Sequence, residues 1–436
     1  MSWQDHIKKN TVTADEAVKV IKSGDRVVLG HAAGAPVVLS DAMVRRADEL
    51  RDVLVTHMVN LDPATYCNPE YEKSFRYSGI YLSGPTRQPV AEGRGDFIPL
   101  FFNQFPILMR DPSFPIDVTM LTVSLPDAQG RVSLGVSVDY TLQAARSAKT
   151  TIALVNPNMP YIAGEGSLLD VTDIDMFVFD DPELLQSNPL AIGETEQAIG
   201  KNIAELIPDG ACLQLGIGGI PDAVLAALGD KKHLGIHSEM ISDGVMNLVE
   251  KGVVDCSQKQ IHQGKIVITF AMGTTKFYKW LDKNPMVEGY PVDYVNDPRV
   301  VGRHDNLISI NSALSVDMLG QVAADAMGPK QFSAVGGQVD FVRGASFSKG
   351  GISVIAMPSR AAKGKVSRIC GAFASGQPVT TSRHDTQYIA TEYGVAKLWG
   401  KNNNDRATAL INIAAPEFRE DLAKEARDIY GFQVKI

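Results

Sequence analysis

The sequence predicts an α/β protein built from two similar open, mostly parallel-sheet domains. Three observations lead there. Short apolar runs alternate with helical stretches, the order that builds parallel sheets. Glycine-rich turns stand between an apolar run and the helix that follows it. The same order of turns and runs then appears again in the second half.

The first half opens on a helix over 13–22, with Thr13 as N-cap and Glu16 three residues on, a capping box. Gly24-Asp25 turns the chain into a strand over 26–30, and a small-residue turn and helix follow in G-H-A-A-G-A-P-V-V-L-S-D-A-M. Residues 53–59 form the next strand. The passage 76–105 is rich in glycine, proline and aromatics and reads as a long loop carrying Arg87, Glu92, Arg94 and Asn103. The acidic, proline-containing stretch 180–196 reads as the connection between domains, which places them at 1–188 and 189–436.

In the second half, 211–215 is an apolar strand, Gly216, Gly218 and Gly219 make the turn, and a helix runs from Pro221 to Leu228. The next strand covers 233–237. A helical crossover makes the two strands parallel, so their carboxyl ends lie on one edge of the sheet. Glu239 and the glycine turn therefore meet where open α/β sheets bind ligands. I-K-S-G-D-R-V-V-L-G-H-A-A-G-A-P corresponds to L-I-P-D-G-A-C-L-Q-L-G-I-G-G-I-P, and 134–156 aligns without a gap on 335–357, pairing Asp139 with Asp340. Residues 416–430 form an amphipathic helix, read as a solvated surface element.

Composition narrows the function. A chain of 436 residues with 44% hydrophobic and 21% charged residues is an ordinary globular protein. A net charge of -8 argues against nucleic acid or anionic membrane as a partner. The amino terminus lacks an apolar leader, and no run reaches the ~20 residues of a membrane span, so the expected location is the cytoplasm. Cys67, Cys212, Cys256 and Cys370 are scattered without a C-x-x-C pair. His233 and His237 lie four apart but flank an apolar strand with no third ligand, so no metal is expected.

The chemistry centres on Glu239. By spacing alone, a glutamate past a strand end is usually structural or solvated. The glycine turn expected beside it supplies backbone N–H groups suited to an oxyanion, and a carboxylate can form a covalent acyl intermediate. A dinucleotide-binding reading of G-I-G-G-I-P competes, but Pro221 takes the sixth position of G-x-G-x-x-G. The turn Gly336-Gly337-Gln338 is either a close approach to a ligand or a tight bend. Lys363-Gly364-Lys365 belongs to a small basic cluster that is either phosphate-binding or simply solvated, and N-S-A-L-S-V (311–316) ends another strand.

Taken together, G-I-G-G-I-P, H-S-E-M-I-S-D-G, N-S-A-L-S-V-D, G-G-Q-V-D-F-V-R-G-A and T-E-Y-G-V-A resemble the acetyl-CoA hydrolase/transferase family of class I coenzyme A transferases, over nearly the whole chain. The resemblance implies that Glu239 attacks a thioester to give an acyl-glutamyl anhydride and then a glutamyl-CoA thioester. It implies CoA or oxyanion contacts for Gln214, Leu215, Gly216, Ile217, Gly218, Gly219, Leu314, Gly337, Gln338 and a lysine, Lys363 or Lys365. The substrates implied are a short acyl-CoA and a small carboxylate, 4-hydroxybutyrate or butyrate with acetate. Coenzyme A enters as substrate, with no tightly bound cofactor, and the assembly implied is a homodimer. Hydrolysis through the same glutamate is the alternative. The first half carries no glutamate in the equivalent place and supplies the acid pocket instead, with His31, His57 and Asn60 as its candidates.

Overall fold

The computed structural model describes residues 2–164 and 166–434. Its contacts divide the chain into two units, Met1–Asn188 with Val267–Val295, and Pro189–Ile266 with Asn296–Ile436. The segment Val267–Val295 thus groups with the first unit, where the sequence reading placed it in the second domain. The outward and return points are not marked by composition. The strand Ile266–Ile268 is one apolar run that straddles the outward point.

In the first unit, seven strands form the main sheet: β1 (Arg26–Leu29), β2 (Val53–Thr56), β3 (Phe75–Gly79), β4 (Gly95–Phe97), β5 (Ile116–Val123), β6 (Ala148–Val155) and β7 (Met176–Phe179). They lie in the order β4-β3-β2-β1-β5-β6-β7, and every neighbouring pair is parallel. Val118, Met120, Ile152 and Leu154 pack into one core, while Leu121, Val123, Ala153 and Val155 from the same strands pack into another. Both faces are therefore buried, which is why these strands read as continuous apolar runs and do not alternate with polar residues.

The capping box is present: the Thr13 hydroxyl accepts from the Glu16 amide, and Glu16 returns the bond to the Thr13 amide at 3.0 Å. The helix it starts is short, Ala14–Ala17, and tightens into a 3-10 turn at Val18–Val20. Helix α1 (Val37–Val44) follows the turn after β1. The passage expected to be a loop, 76–105, instead contains most of β3, helix α2 (Gly84–Ala91) and β4. Pro85 falls in the first turn of α2, where its missing N–H costs nothing, and Ser83 with Thr86 caps the start.

The second unit holds β8 (Cys212–Leu215), β9 (Gly235–Ile236), β10 (Leu307–Ser312), β11 (Ile352–Ala356), β12 (Tyr388–Thr391) and β13 (Gly394–Lys397). Their order is β9-β8-β10-β11-β12-β13, parallel except for the β12–β13 pair. The connection leaving β8 runs to β9 on one side, and that leaving β10 runs to β11 on the other. The β8/β10 boundary is thus a topological switch point. The first unit has its counterpart at β1/β5, so the two sheets share the open, doubly wound plan that the repeat predicted. The aligned segments 134–156 and 335–357 both fold as a helix leading into a strand: α3 (Thr141–Ser147) before β6, and α5 (Gln338–Phe347) before β11.

Two details differ from expectation. The helix after β8, α4 (Gly219–Ala226), begins two residues early and keeps Pro221 inside its first turn. β9 is only Gly235–Ile236, because His233 takes a left-handed φ of 58° and bonds Asp255 outside the strand. The carboxyl-terminal helix Arg419–Tyr430 buries Leu422, Ala423 and Ala426 in the core of the second unit, so its inner face is structural. No helix among the described residues is long and apolar enough to cross a membrane.

The region after β2 carries a pH-sensitive contact. His57 is fully buried; its Nδ1–H donates to the Met58 carbonyl at 3.1 Å, and its Nε2 accepts the Tyr66 hydroxyl at 2.6 Å. Burial holds the imidazole neutral, with its pKa lowered to about 4 despite the nearby Asp62. An unfolded histidine takes its proton near 6.5, so the unfolded state is protonated first as pH falls. Stability from this group is complete above about pH 6.5 and drains away towards pH 4, by an amount of order 3 kcal/mol. Thermal unfolding at pH 7 and pH 5 should show a smaller drop in midpoint for H57Q than for the wild type, and equal drops would contradict the assignment.

Candidate active site at the carboxyl edge of the second sheet

The parallel register Cys212↔Gly235 and Leu213↔Ile236 brings the ends of β8 and β9 side by side. Ser238 then joins them: its hydroxyl donates to the Leu215 carbonyl at 3.0 Å and accepts the Leu215 amide at 3.3 Å. The residue after this clamp is Glu239, half-buried, and the residue after Leu215 is Gly216. One hydroxyl therefore fixes where the carboxylate and the glycine turn begin.

Gly218 has φ 111° and ψ 178°, a conformation open to glycine alone, and it caps α4. Gly216 is different. A Cβ there would meet nothing within 4 Å, nor would one at Gly218, so the space over the turn is open. Ile217 between them is 44% exposed, and Gly219 packs near Glu196. The first amides of α4 lack intrahelical acceptors by geometry and carry the positive end of the helix dipole, an arrangement that favours developing negative charge.

The Glu239 carboxylate is reached from two distant parts of the second unit. The Asn296 side-chain amide donates to Oε2 at 2.7 Å, and Asn296 itself is fully buried. The backbone at Gly336-Gly337 closes the other side. A Cβ on Gly337 would lie 2.0 Å from Glu239 Oε2 and 2.3 Å from Asn296 Nδ2. Sequence reasoning found Glu239 and Gly337 but missed Asn296, whose setting, Y-V-N-D-P, has no motif that marks it.

Of the other candidates in this unit, Gln214 is buried at the end of β8, bonded to Ser309 and Asn311 on β10. Gln338 uses its amide nitrogen on the Ser312 carbonyl at 2.9 Å, and its carbonyl accepts the Thr381 hydroxyl at 3.3 Å, which ties the start of α5 to the end of β10. Leu314 is held through its backbone, donating to Ala323 and accepting from Arg368. Lys363 and Lys365 sit on the exposed tip of a small hairpin, away from these buried groups, and Lys363 has φ 58°.

The first-unit candidates are more enclosed. His31 follows β1 at that unit's switch point, is 1% exposed, and bonds Asp139 Oδ2 through Nε2 at 2.8 Å. Asp139 also accepts the Ser137 hydroxyl and the Tyr140 amide, and the His31 ring stacks on Tyr140 with Phe270 at its edge. His31 Nδ1 has no hydrogen-bond partner among the described residues. Asn60 spends its amide on Asp62 at 2.8 Å and on the Tyr66 hydroxyl at 3.3 Å. Among the described residues, no three His, Cys, Asp or Glu side chains gather as a metal site would require.

Comparison with known proteins decides the family. Models of the acetyl-CoA hydrolase/transferase N-terminal and C-terminal domains match residues 1–186 and 273–426. The 4-hydroxybutyrate coenzyme A transferase of Clostridium kluyveri is 51% identical over 98% of this chain and 99% of its own. The chain belongs to the acetyl-CoA hydrolase/transferase family. Among solved structures, that of RipA from Yersinia pestis superposes with a TM-score of 0.93 at 36% identity, over 99% of this chain and 100% of that one. The 4-hydroxybutyrate CoA-transferase of Porphyromonas gingivalis gives 0.86 at 40% identity, over 98% and 100%. For this family member, the two glycines beside Glu239 separate conformation from contact. Gly337 has an ordinary φ of -92°, so an alanine there is excluded by contact with the carboxylate and the Asn296 amide and not by conformation, while Gly336 has φ 54° and only a distant 3.8 Å approach to Oε1. Gly337→Ala is expected to cut turnover at least 100-fold with the fold kept. Gly336→Ala should mainly lower stability, by about 1–2 kcal/mol for its left-handed backbone. Thioester turnover and thermal unfolding of both variants check this.

Proposed function

We propose that the protein moves coenzyme A between a short acyl-CoA and a small carboxylate, with 4-hydroxybutyrate the favoured acid and butyrate or acetate the others. The observation that carries the reading is the Glu239 carboxylate, held by Asn296 at 2.7 Å beside an open glycine turn. Supporting it are the family and a relative of 51% identity named for that transfer.

The chemistry follows from these groups. A Glu239 oxygen attacks the thioester carbonyl, the C–S bond breaks, and CoA leaves as a thiolate with an acyl-glutamyl anhydride remaining. The thiolate then attacks the glutamyl carbonyl of the anhydride, releasing the first carboxylate and leaving a glutamyl-CoA thioester. The incoming carboxylate attacks that thioester, and the sequence runs in reverse to give the new acyl-CoA and free Glu239. Thioester energy stays in covalent form throughout, so neither ATP nor a metal is consumed.

Each addition builds an oxyanion. The turn Gln214–Gly219 and the amide of Gly337 are assigned to stabilise it, and Leu314, Gln338 and Lys363 to line the path of CoA, with Lys365 as an alternative to Lys363. Asn296 holds the carboxylate that acts as nucleophile in place through Oε2. In the first unit, His31 is assigned to the acid pocket. His57 and Asn60, whose polar atoms are spent within the unit, shape it and do not contact the acid. A homodimer in the cytoplasm completes the proposal.

Two measurements test it. Incubation with acetyl-CoA followed by borohydride should reduce the glutamyl thioester, inactivate the enzyme and mark Glu239 in a peptide map. An unmodified Glu239 with full residual activity would exclude the covalent route. Consumption of acetyl-CoA should require an added carboxylate such as butyrate and yield butyryl-CoA with no net free thiol, whereas free thiol released from acetyl-CoA alone at the same rate would make the protein a hydrolase working through the same residue.

A further inference from the structure

Gln214 does not stand alone at the switch point. In the parallel register of β8 and β10 it lies opposite Ser309, and Asn311 follows two residues on, so all three side chains share one face of the sheet. The Ser309 hydroxyl, fully buried, lies 2.7 Å from Gln214 Oε1. The Asn311 amide nitrogen lies 2.9 Å from the Ser309 oxygen and 3.2 Å from Gln214 Oε1. Gln214 Nε2 reaches Asn311 Oδ1 at 3.3 Å.

The donor count fixes the directions. Asn311 Nδ2 can only donate, so the Ser309 oxygen accepts from it, and the one Ser309 proton goes to Gln214 Oε1. The Gln214 carbonyl is then filled from within the sheet by two donors. Its amide nitrogen has two N–H groups and gives only one to Asn311, so a ligand reaching the end of β8 is offered an N–H and not a carbonyl. Without the Ser309 hydroxyl, Gln214 Oε1 keeps one donor of two, Asn311 Nδ2, and the amide is held less firmly against a flip that would present a carbonyl to negative charge.

We propose that Ser309 is a positioning residue for the transfer reaction: it locks the Gln214 amide with an N–H directed to the charge that develops beside the glycine turn. The inference rests on the CoA-transfer reading of this sheet edge, and the borohydride trap of Glu239 in the wild type tests that reading separately. Ser353 supplies a matched control. It lies opposite Ser309 in the β10–β11 register, is equally buried, and its hydroxyl has no hydrogen-bond partner among the described residues.

The experiment is steady-state kinetics on the full chain with acetyl-CoA and butyrate, using S309A, S309T, Q214A, S309A/Q214A and S353A. S309A is expected to lower kcat about tenfold with KM for acetyl-CoA within twofold, and S309T, which keeps the hydroxyl, to restore kcat within twofold. In the Q214A background S309A should cost nothing further, because Ser309 acts through that side chain. S353A should keep the wild-type kcat. A wild-type kcat in S309A, a loss in S309A that multiplies with that of Q214A, or an equal loss in S353A would each overturn the proposal.

Discussion

The parallel pairing of β8 with β9, sealed by the Ser238 hydroxyl on Leu215, is the constraint on which the candidate site depends. Parallel strands joined by a helix must end on the same edge, so a turn and an acidic side chain far apart in sequence arrive together. The pairing tolerates no slip. A shift of one residue in either strand would exchange its two faces and bury polar groups meant for the edge. The close approach of Gly337 to the carboxylate acts in the same direction, since it leaves no room for a side chain between that backbone and Glu239.

The two units apply one plan to different ends. β2 stands to β1 as β9 stands to β8, and the parallel registers set His57 in the place of Ser238 and Met58 in the place of Glu239. Past β9 the second unit carries a half-buried carboxylate bonded by an amide. Past β2 the first carries a buried, neutral imidazole whose two nitrogens are both satisfied locally. Within the glycine turns, exposed Ile217 corresponds to buried His31, locked to Asp139. Shared topology therefore sets where chemistry sits but not which chemistry it is.

Much of this was legible because its causes are local. The two-sided burial of parallel strands writes itself as apolar runs, and Gly218 is demanded by its own dihedral angles. Glu239 was legible because strand, turn, helix and strand are contiguous. Asn296 was not, because it reaches the carboxylate from a separate loop and its neighbours say nothing of the contact. The passage 76–105 misled for a different reason. Proline and glycine are counted as loop formers, yet Pro85 occupies the one helical turn that tolerates it, and β4 is a short strand at the sheet edge. Ser309 and Gln214 show a third case: their types were visible, but the direction of their hydrogen bonds needed the register.

The chain leaves the second unit after Ile266, contributes Val267–Val295 to the first, and re-enters at Asn296. The residue at the re-entry point is the one that bonds Glu239. The second unit is thus not a contiguous gene segment, and no single cut divides the protein into two complete halves. During synthesis, Glu239 emerges well before its partner, and the loop between them closes only after the excursion has been made. The Glu239 carboxylate consequently acquires its final environment only once Asn296 has been made and brought back to it.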